Sequence, residues 1–117
     1  MKKKILVVDD DADILFVLKM MLERKGYEVE TSAEPDKILP AGSTLPDLVL
    51  LDIWMGNYDG RDICRQLKAD PATQQLPVIL LSASKDIGQS ARESGADDFV
   101  AKPFEQKHLL EKISGYI

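Results

Sequence analysis

Three charged signals, each just past a run of apolar residues, hold the chemistry open to this chain. Ile5-Leu6-Val7-Val8 runs into Asp9-Asp10, Leu48-Val49-Leu50-Leu51 into Asp52, and Phe99-Val100-Ala101 into Lys102-Pro103. If folding gathers them, three carboxylates and one ammonium share a site, and the like charges repel unless a cation joins them. A small set of oxygen ligands suits Mg²⁺, which binds few carboxylates and keeps several waters. A divalent ion beside an ammonium suits a phosphoryl group, whose transfer asks a protein mainly for alignment and charge neutralisation. No piece is specific alone. Asp9 and Asp10, with Asp11 and Asp13, also fit solvated acids at a helix start, and Lys102 fits an exposed strand end. Joint occurrence carries the inference.

The elements that must position these residues are readable from periodicity. Apolar runs of this length read as strands buried on both faces, the pattern of a parallel sheet. In an open parallel sheet the strand C-termini share one edge, where ligands bind. Strands are predicted at Lys4 to Val8, Tyr27 to Ser32, Asp47 to Asp52, Val78 to Leu81 and Asp98 to Ala101. Asp11 is the expected N-cap of a first helix that places Ile14, Leu18, Met21 and Leu22 on one face and closes at Gly26. A short second helix is confined by Pro35, Pro40 and Gly42. A loop is expected from Ile53 to Asp59, then helices from about Gly60 to Ala69, Lys85 to Ser94 and Phe104 to Gly115. Strands alternating with helices of these lengths predict a doubly wound α/β domain with right-handed crossovers.

At 117 residues the chain is expected to be one domain with a real core. Twenty acidic against 15 basic residues, a net charge of -5, argue against direct nucleic-acid binding. No apolar stretch approaches the roughly 20 residues of a membrane span. Met1-Lys2-Lys3-Lys4 has a signal peptide's charge without its longer apolar core, so a cytoplasmic location is expected. Cys64 is the lone cysteine, which rules out an internal disulfide; beside Ile63 and Leu67 it reads as a buried structural thiol. The lone His108 reads as a surface residue.

Val7-Val8-Asp9-Asp10, Leu50-Leu51-Asp52-Ile53, Asp59-Gly60, Leu81-Ser82-Ala83, Gly95-Ala96-Asp97-Asp98-Phe99 and Lys102-Pro103-Phe104 occur in order along the chain. In these motifs the sequence resembles the receiver domains of two-component response regulators, over essentially its whole length. The resemblance implies a flavodoxin-like (βα)5 fold with strand order 2-1-3-4-5. It implies that Asp52 is the phosphoacceptor, taking a phosphoryl group from a sensor histidine kinase or histidine phosphotransfer protein. Asp10 is implied as a direct Mg²⁺ ligand, Asp9 as a partly water-mediated one, and the Trp54 backbone carbonyl as a further ligand beside Asp52. Lys102 would neutralise phosphoryl oxygens, aimed inward by a cis Pro103. Ser82 and Phe99 are implied as a switch pair that alters the helix 4–strand 5–helix 5 surface for an effector protein. The domain would be a signalling phosphoacceptor that assists its own phosphorylation and dephosphorylation, not an enzyme with a separate substrate. No output domain is expected after the last helix, so the chain would act alone or as a piece of a larger protein.

Several residues depart from that pattern. Trp54 is bulky, and its indole is expected to shield an acyl phosphate from water. Phe99 lacks the hydroxyl of the tyrosine often found there, so a switch would act through packing. Gly56 stands where many relatives have proline, which leaves the loop freer. Two other readings compete. A Mg²⁺-dependent phosphatase with an aspartate nucleophile usually has a second acid two residues on, where this chain has Trp54. A flavin- or nucleotide-binding module cradles phosphate with Gly- or Ser-rich loops, whereas Asp9-Asp10-Asp11-Ala12-Asp13 would repel it. A receiver-like interaction module that works without phosphorylation is the remaining alternative.

Overall fold

Unbroken aliphatic runs form the three inner strands of a parallel sheet, because both faces of each must be covered. The computed structural model describes residues 2–33, 45–55, 58–82 and 92–117. In chain order the elements are β1 (Lys4–Val8), α1 (Ala12–Arg24), β2 (Glu28–Ser32), β3 (Leu48–Asp52), β4 (Trp54–Met55), β5 (Tyr58–Asp59), α2 (Gly60–Ala69), β6 (Val78–Ser82), β7 (Asp98–Ala101) and α3 (Gln106–Ser114). The main sheet runs β2-β1-β3-β6-β7, all parallel. Taken as five successive main strands this is the order 2-1-3-4-5, the flavodoxin-like fold expected from the sequence. Every residue of β3 and β6 is buried, whereas β2 and β7, at the edges, mix buried and exposed positions.

The pleat divides the core in two. Leu6, Val8, Val49, Leu51 and Leu80 face α2, where they meet Ile63, Cys64 and Leu67. Ile5, Val7, Leu50, Ile79 and Leu81 face the other way, onto Leu18 and Leu22 of α1 and Leu109 and Ile113 of α3. Each fully buried leucine or isoleucine contributes about 1.5–3 kcal/mol relative to exposure.

Local signals set the helix ends. Asp11 caps α1, its side chain accepting from the backbone N–H groups of Asp13 and Ile14 at 2.9 and 3.4 Å. Gly26, at φ 95°, ends the helix, and the Tyr27 N–H then donates back to the Leu22 carbonyl at 3.2 Å. That is the left-handed closure for which glycine is favoured. Cys64 is buried as expected, and burial pushes its thiol pKa up. His108 is exposed.

Within the stretch expected to be a loop, Ile53 to Asp59, the described residues include two short strands. Trp54 and Met55 pair antiparallel with Asp59 and Tyr58, and the buried Met55 side chain anchors this ladder in the α2-side core. The last helix starts at Gln106 rather than Phe104, with Glu105 in extended conformation at its N-cap, and Phe104 packs against the α1/α3-side core. The expected second helix around Pro35 and Pro40, Gly56-Asn57, Ala83-Ser84 and most of the helix expected from Lys85 lie outside the described residues. Of that last helix, residues 92–94 are helical. Among the described residues, no helix is long and apolar enough to cross a membrane.

Candidate functional site

Sheet register delivers the charged residues to one edge. Val8 pairs with Leu51, Asp52 with Leu81, and Ser82 with Ala101, so Asp9, Asp52, Ser82 and Lys102 all lie at the C-terminal ends of neighbouring strands. The ladder continues past the strands through Ile53 N–H to Leu81 C=O at 3.0 Å and Lys102 N–H to Ser82 C=O at 2.8 Å. Carboxylate oxygens of Asp9, Asp10 and Asp52 come within 4.8 Å of one another. Asp9 is fully buried and Asp52 nearly so, while Asp10 is exposed.

Lys102 reaches into this cluster. Its Nζ lies 2.8 Å from Asp9 Oδ2 and 3.3 Å from Asp52 Oδ1. The other Asp9 oxygen accepts the Asp11 N–H at 3.0 Å, which ties the acidic loop to the start of α1. Burial, and then the neighbouring Asp9 charge, raise the Asp52 pKa from the ordinary 3.8 to about 6, against the opposing pull of Lys102. For Lys102, burial acts downward, but the hydrogen bond to Asp9 and the Asp52 and Asp9 charges outweigh it and hold the ammonium above its usual range.

The remaining expected site residues are placed as follows. Ser82 is buried at the end of β6, beside Ala101 in the register. Phe99 sits on the edge strand two register steps lower, opposite Leu80. It is 36 % exposed and has the Lys112 ammonium 5.9 Å from its ring centroid. The Lys102–Pro103 bond is cis. Trp54 is exposed, and the Arg61 guanidinium lies 4.9 Å from its ring centroid.

Two residues near the site carry more than their sequence context showed. A Cβ on Gly60 would overlap the backbone carbonyl of Asp52 and come within 3.0 Å of the Ile53 Cα. Glycine there lets α2 press against the peptide of Asp52, with the Gly60 N–H donating to the Ile53 carbonyl at 2.7 Å. Asp59-Gly60 stands out as a motif, but this close approach needs coordinates to see. Arg61 had no sequence signal beyond its place in a helix.

The donor set fits a hard divalent cation. Three carboxylates face one ammonium, leaving a formal excess of negative charge, and every carboxylate is an oxygen donor of the kind Mg²⁺ takes. Ionising Asp52 against burial and against Asp9 is unfavourable, and a cation at the cluster would relieve it.

Fold and edge together define a flavodoxin-like domain built around an acidic cluster with an inward lysine. The sequence model for the response regulator receiver domain matches residues 5–114. The chain is 39 % identical over 116 residues to the response regulator PleD of Caulobacter vibrioides, covering 97 % of this chain and 26 % of PleD. It is 38 % identical to the DNA-binding response regulator MtrA of Mycobacterium tuberculosis, covering 97 % of this chain and 50 % of MtrA. Thus it spans between a quarter and a half of these curated relatives. A putative response regulator from Chloroflexus aurantiacus superposes with a TM-score of 0.91 at 32 % identity, over 99 % of this chain and 98 % of that one. The chain belongs to the response regulator receiver domain family.

Proposed function

We propose that this receiver domain takes a phosphoryl group onto Asp52 from a sensor histidine kinase or a histidine phosphotransfer protein. The observation that carries the reading is one cluster: a buried carboxylate, an ammonium 3.3 Å away and two further aspartates in reach of a shared cation. Asp9, Asp10, Asp52 and the Trp54 backbone carbonyl would hold Mg²⁺. When bound, the ion would supply alignment and neutralisation of the phosphoryl oxygens.

The chain's own residues do the rest. An Asp52 carboxylate oxygen attacks phosphorus in line, an O–P bond forms as the P–N bond to the donor imidazole breaks, and the imidazole keeps the electron pair and takes a proton from solvent. Lys102, now held by Asp9 and Asp52, is placed to follow the negative charge onto the phosphoryl oxygens. The Ser82 hydroxyl, at the end of the adjacent strand, donates to a phosphoryl oxygen once one is present. Phe99, on the exposed edge, then repacks and alters the surface offered to an effector protein, a shift between pre-existing states. The absence of an acid at Trp54, two residues past Asp52, disfavours the phosphatase reading.

The test is incubation with Mg²⁺ and acetyl phosphate, followed by intact mass. A gain of one phosphoryl group that disappears in Asp52→Ala supports the reading. No gain under saturating donor favours an interaction module that works without phosphorylation, and turnover of an added phosphomonoester favours a phosphatase.

A further inference from the structure

The segment that follows the phosphoacceptor is held by a ring of contacts that the phosphotransfer reading does not use. Trp54 on β4 lies directly opposite Asp59 on β5. Asp59 is the N-cap of α2, its Oδ1 accepting the Arg61 backbone N–H at 2.9 Å. The same carboxylate grips the Arg61 side chain: Nε lies 3.0 and 3.2 Å from its two oxygens, and Nη2 lies 2.6 Å from Oδ2. That fork leaves the guanidinium over the indole, 4.9 Å from its centroid. The loop of contacts runs from Trp54 across the strand pair to Asp59, through the ion pair to Arg61, and back to Trp54.

Helix capping accounts for only part of this. A cap needs the carboxylate and the backbone N–H; it does not need the guanidinium, nor a ring beneath it. Nor does core packing account for it, since the indole is 57 % exposed. An exposed tryptophan without a partner is free to exchange rotamers. Here a planar cation, fixed to the same strand pair by a two-pronged carboxylate contact, covers one face of the ring.

We propose that Arg61 is a positioning residue for the metal site: held by Asp59 and stacked on Trp54, it fixes the residue whose backbone carbonyl completes the cation's ligands. The inference rests on the metal reading given under Proposed function. It separates from simple electrostatics by sign. Arg61 is a positive charge near a site for a cation, so on Coulombic grounds its removal strengthens binding. As a positioning residue, its removal weakens binding, because the Trp54 carbonyl is no longer pre-set.

The experiment is titration of the ¹⁵N-labelled chain with MgCl₂, following the Asp10 and Asp52 amide shifts. Arg61→Ala is expected to raise the Mg²⁺ dissociation constant about two- to fivefold, the scale of an exposed cation–π contact. Arg61→Lys, which keeps a cation but loses the fork, is expected to restore part of that loss. Trp54→Ala should weaken binding by a similar factor, and Arg61→Ala should add little in its presence. Arg65→Ala is the charge control: it removes the same charge from an exposed pair with Asp62 on the same helix and should not weaken binding. Retained dispersion of the amide spectrum establishes that each variant is folded, and should Arg61→Ala unfold, Arg61→Lys and Trp54→Ala carry the comparison. Unchanged or tighter binding in both Arg61 variants, or fully additive losses in the double variant, overturns the inference while wild type still saturates. Absence of a saturable response in wild type removes the metal reading and this inference with it.

Discussion

Asp52→Asn should make the metal-free protein more stable at neutral pH, an inversion of what removal of a site residue usually does. Asp52 is 6 % exposed, and burial together with the Asp9 charge lifts its pKa from 3.8 to about 6. The folded state therefore holds the Asp52 proton more tightly than the unfolded chain. The associated stability is fully present below about pH 4 and is lost as pH rises through about 6. At 1.36 kcal/mol per pH unit the full effect is about 3 kcal/mol, and relaxation around the ionised group brings the expected value to about 1–3 kcal/mol. Asparagine keeps the shape without the charge, and Lys102 is not stranded because its 2.8 Å contact to Asp9 remains. Urea unfolding in EDTA at about pH 7.5 and about pH 3.5 measures this, with equal slopes at each pH required for the comparison. A variant no more stable than wild type at the higher pH, or a gain that persists undiminished at the lower, refutes the reasoning.

Three further outcomes are expected. Lys102→Ala removes the ammonium from two buried carboxylates and should cost about 2–3 kcal/mol at neutral pH, a loss that urea midpoints should show shrinking as acid protonates Asp52. Gly60→Ala drives a methyl into the Asp52 backbone and should cost about 1–3 kcal/mol, while slowing phosphorylation by acetyl phosphate at saturating Mg²⁺ more than a remote substitution of equal destabilisation does. Trp54→Asn removes the bulky side chain two residues past Asp52, and an acyl phosphate formed on Asp52 should then decay severalfold faster; an unchanged half-life disposes of a shielding role.

The inner strands were legible because burial on both faces leaves an unbroken aliphatic run, as in Leu48-Val49-Leu50-Leu51, where every residue is buried. Asp11 and Gly26 were legible because capping is chemistry local to a few residues. Convergence of Asp9, Asp10, Asp52 and Lys102 followed from parallel strands ending on one edge. The Trp54–Met55 and Tyr58–Asp59 ladder was not legible, since two-residue strands are too short to show a period of two. The closer approach of Lys102 to Asp9 than to Asp52 depends on side-chain geometry between distant segments. The same holds for Gly60 beneath Asp52 and for the Arg61 stack on Trp54. The exposure of Phe99 reflects its place on an edge strand, which its apolar character alone does not reveal.

Borohydride reduction of the chain after incubation with acetyl phosphate and Mg²⁺ tests the central claim most directly, because it converts an aspartyl phosphate to homoserine at the residue that carried it. Peptide mapping is expected to find homoserine at position 52 alone, and none when Mg²⁺ is withheld. Homoserine at Asp9 or Asp10 instead, or none at all after donor treatment with Mg²⁺, would contradict the assignment of Asp52 as phosphoacceptor.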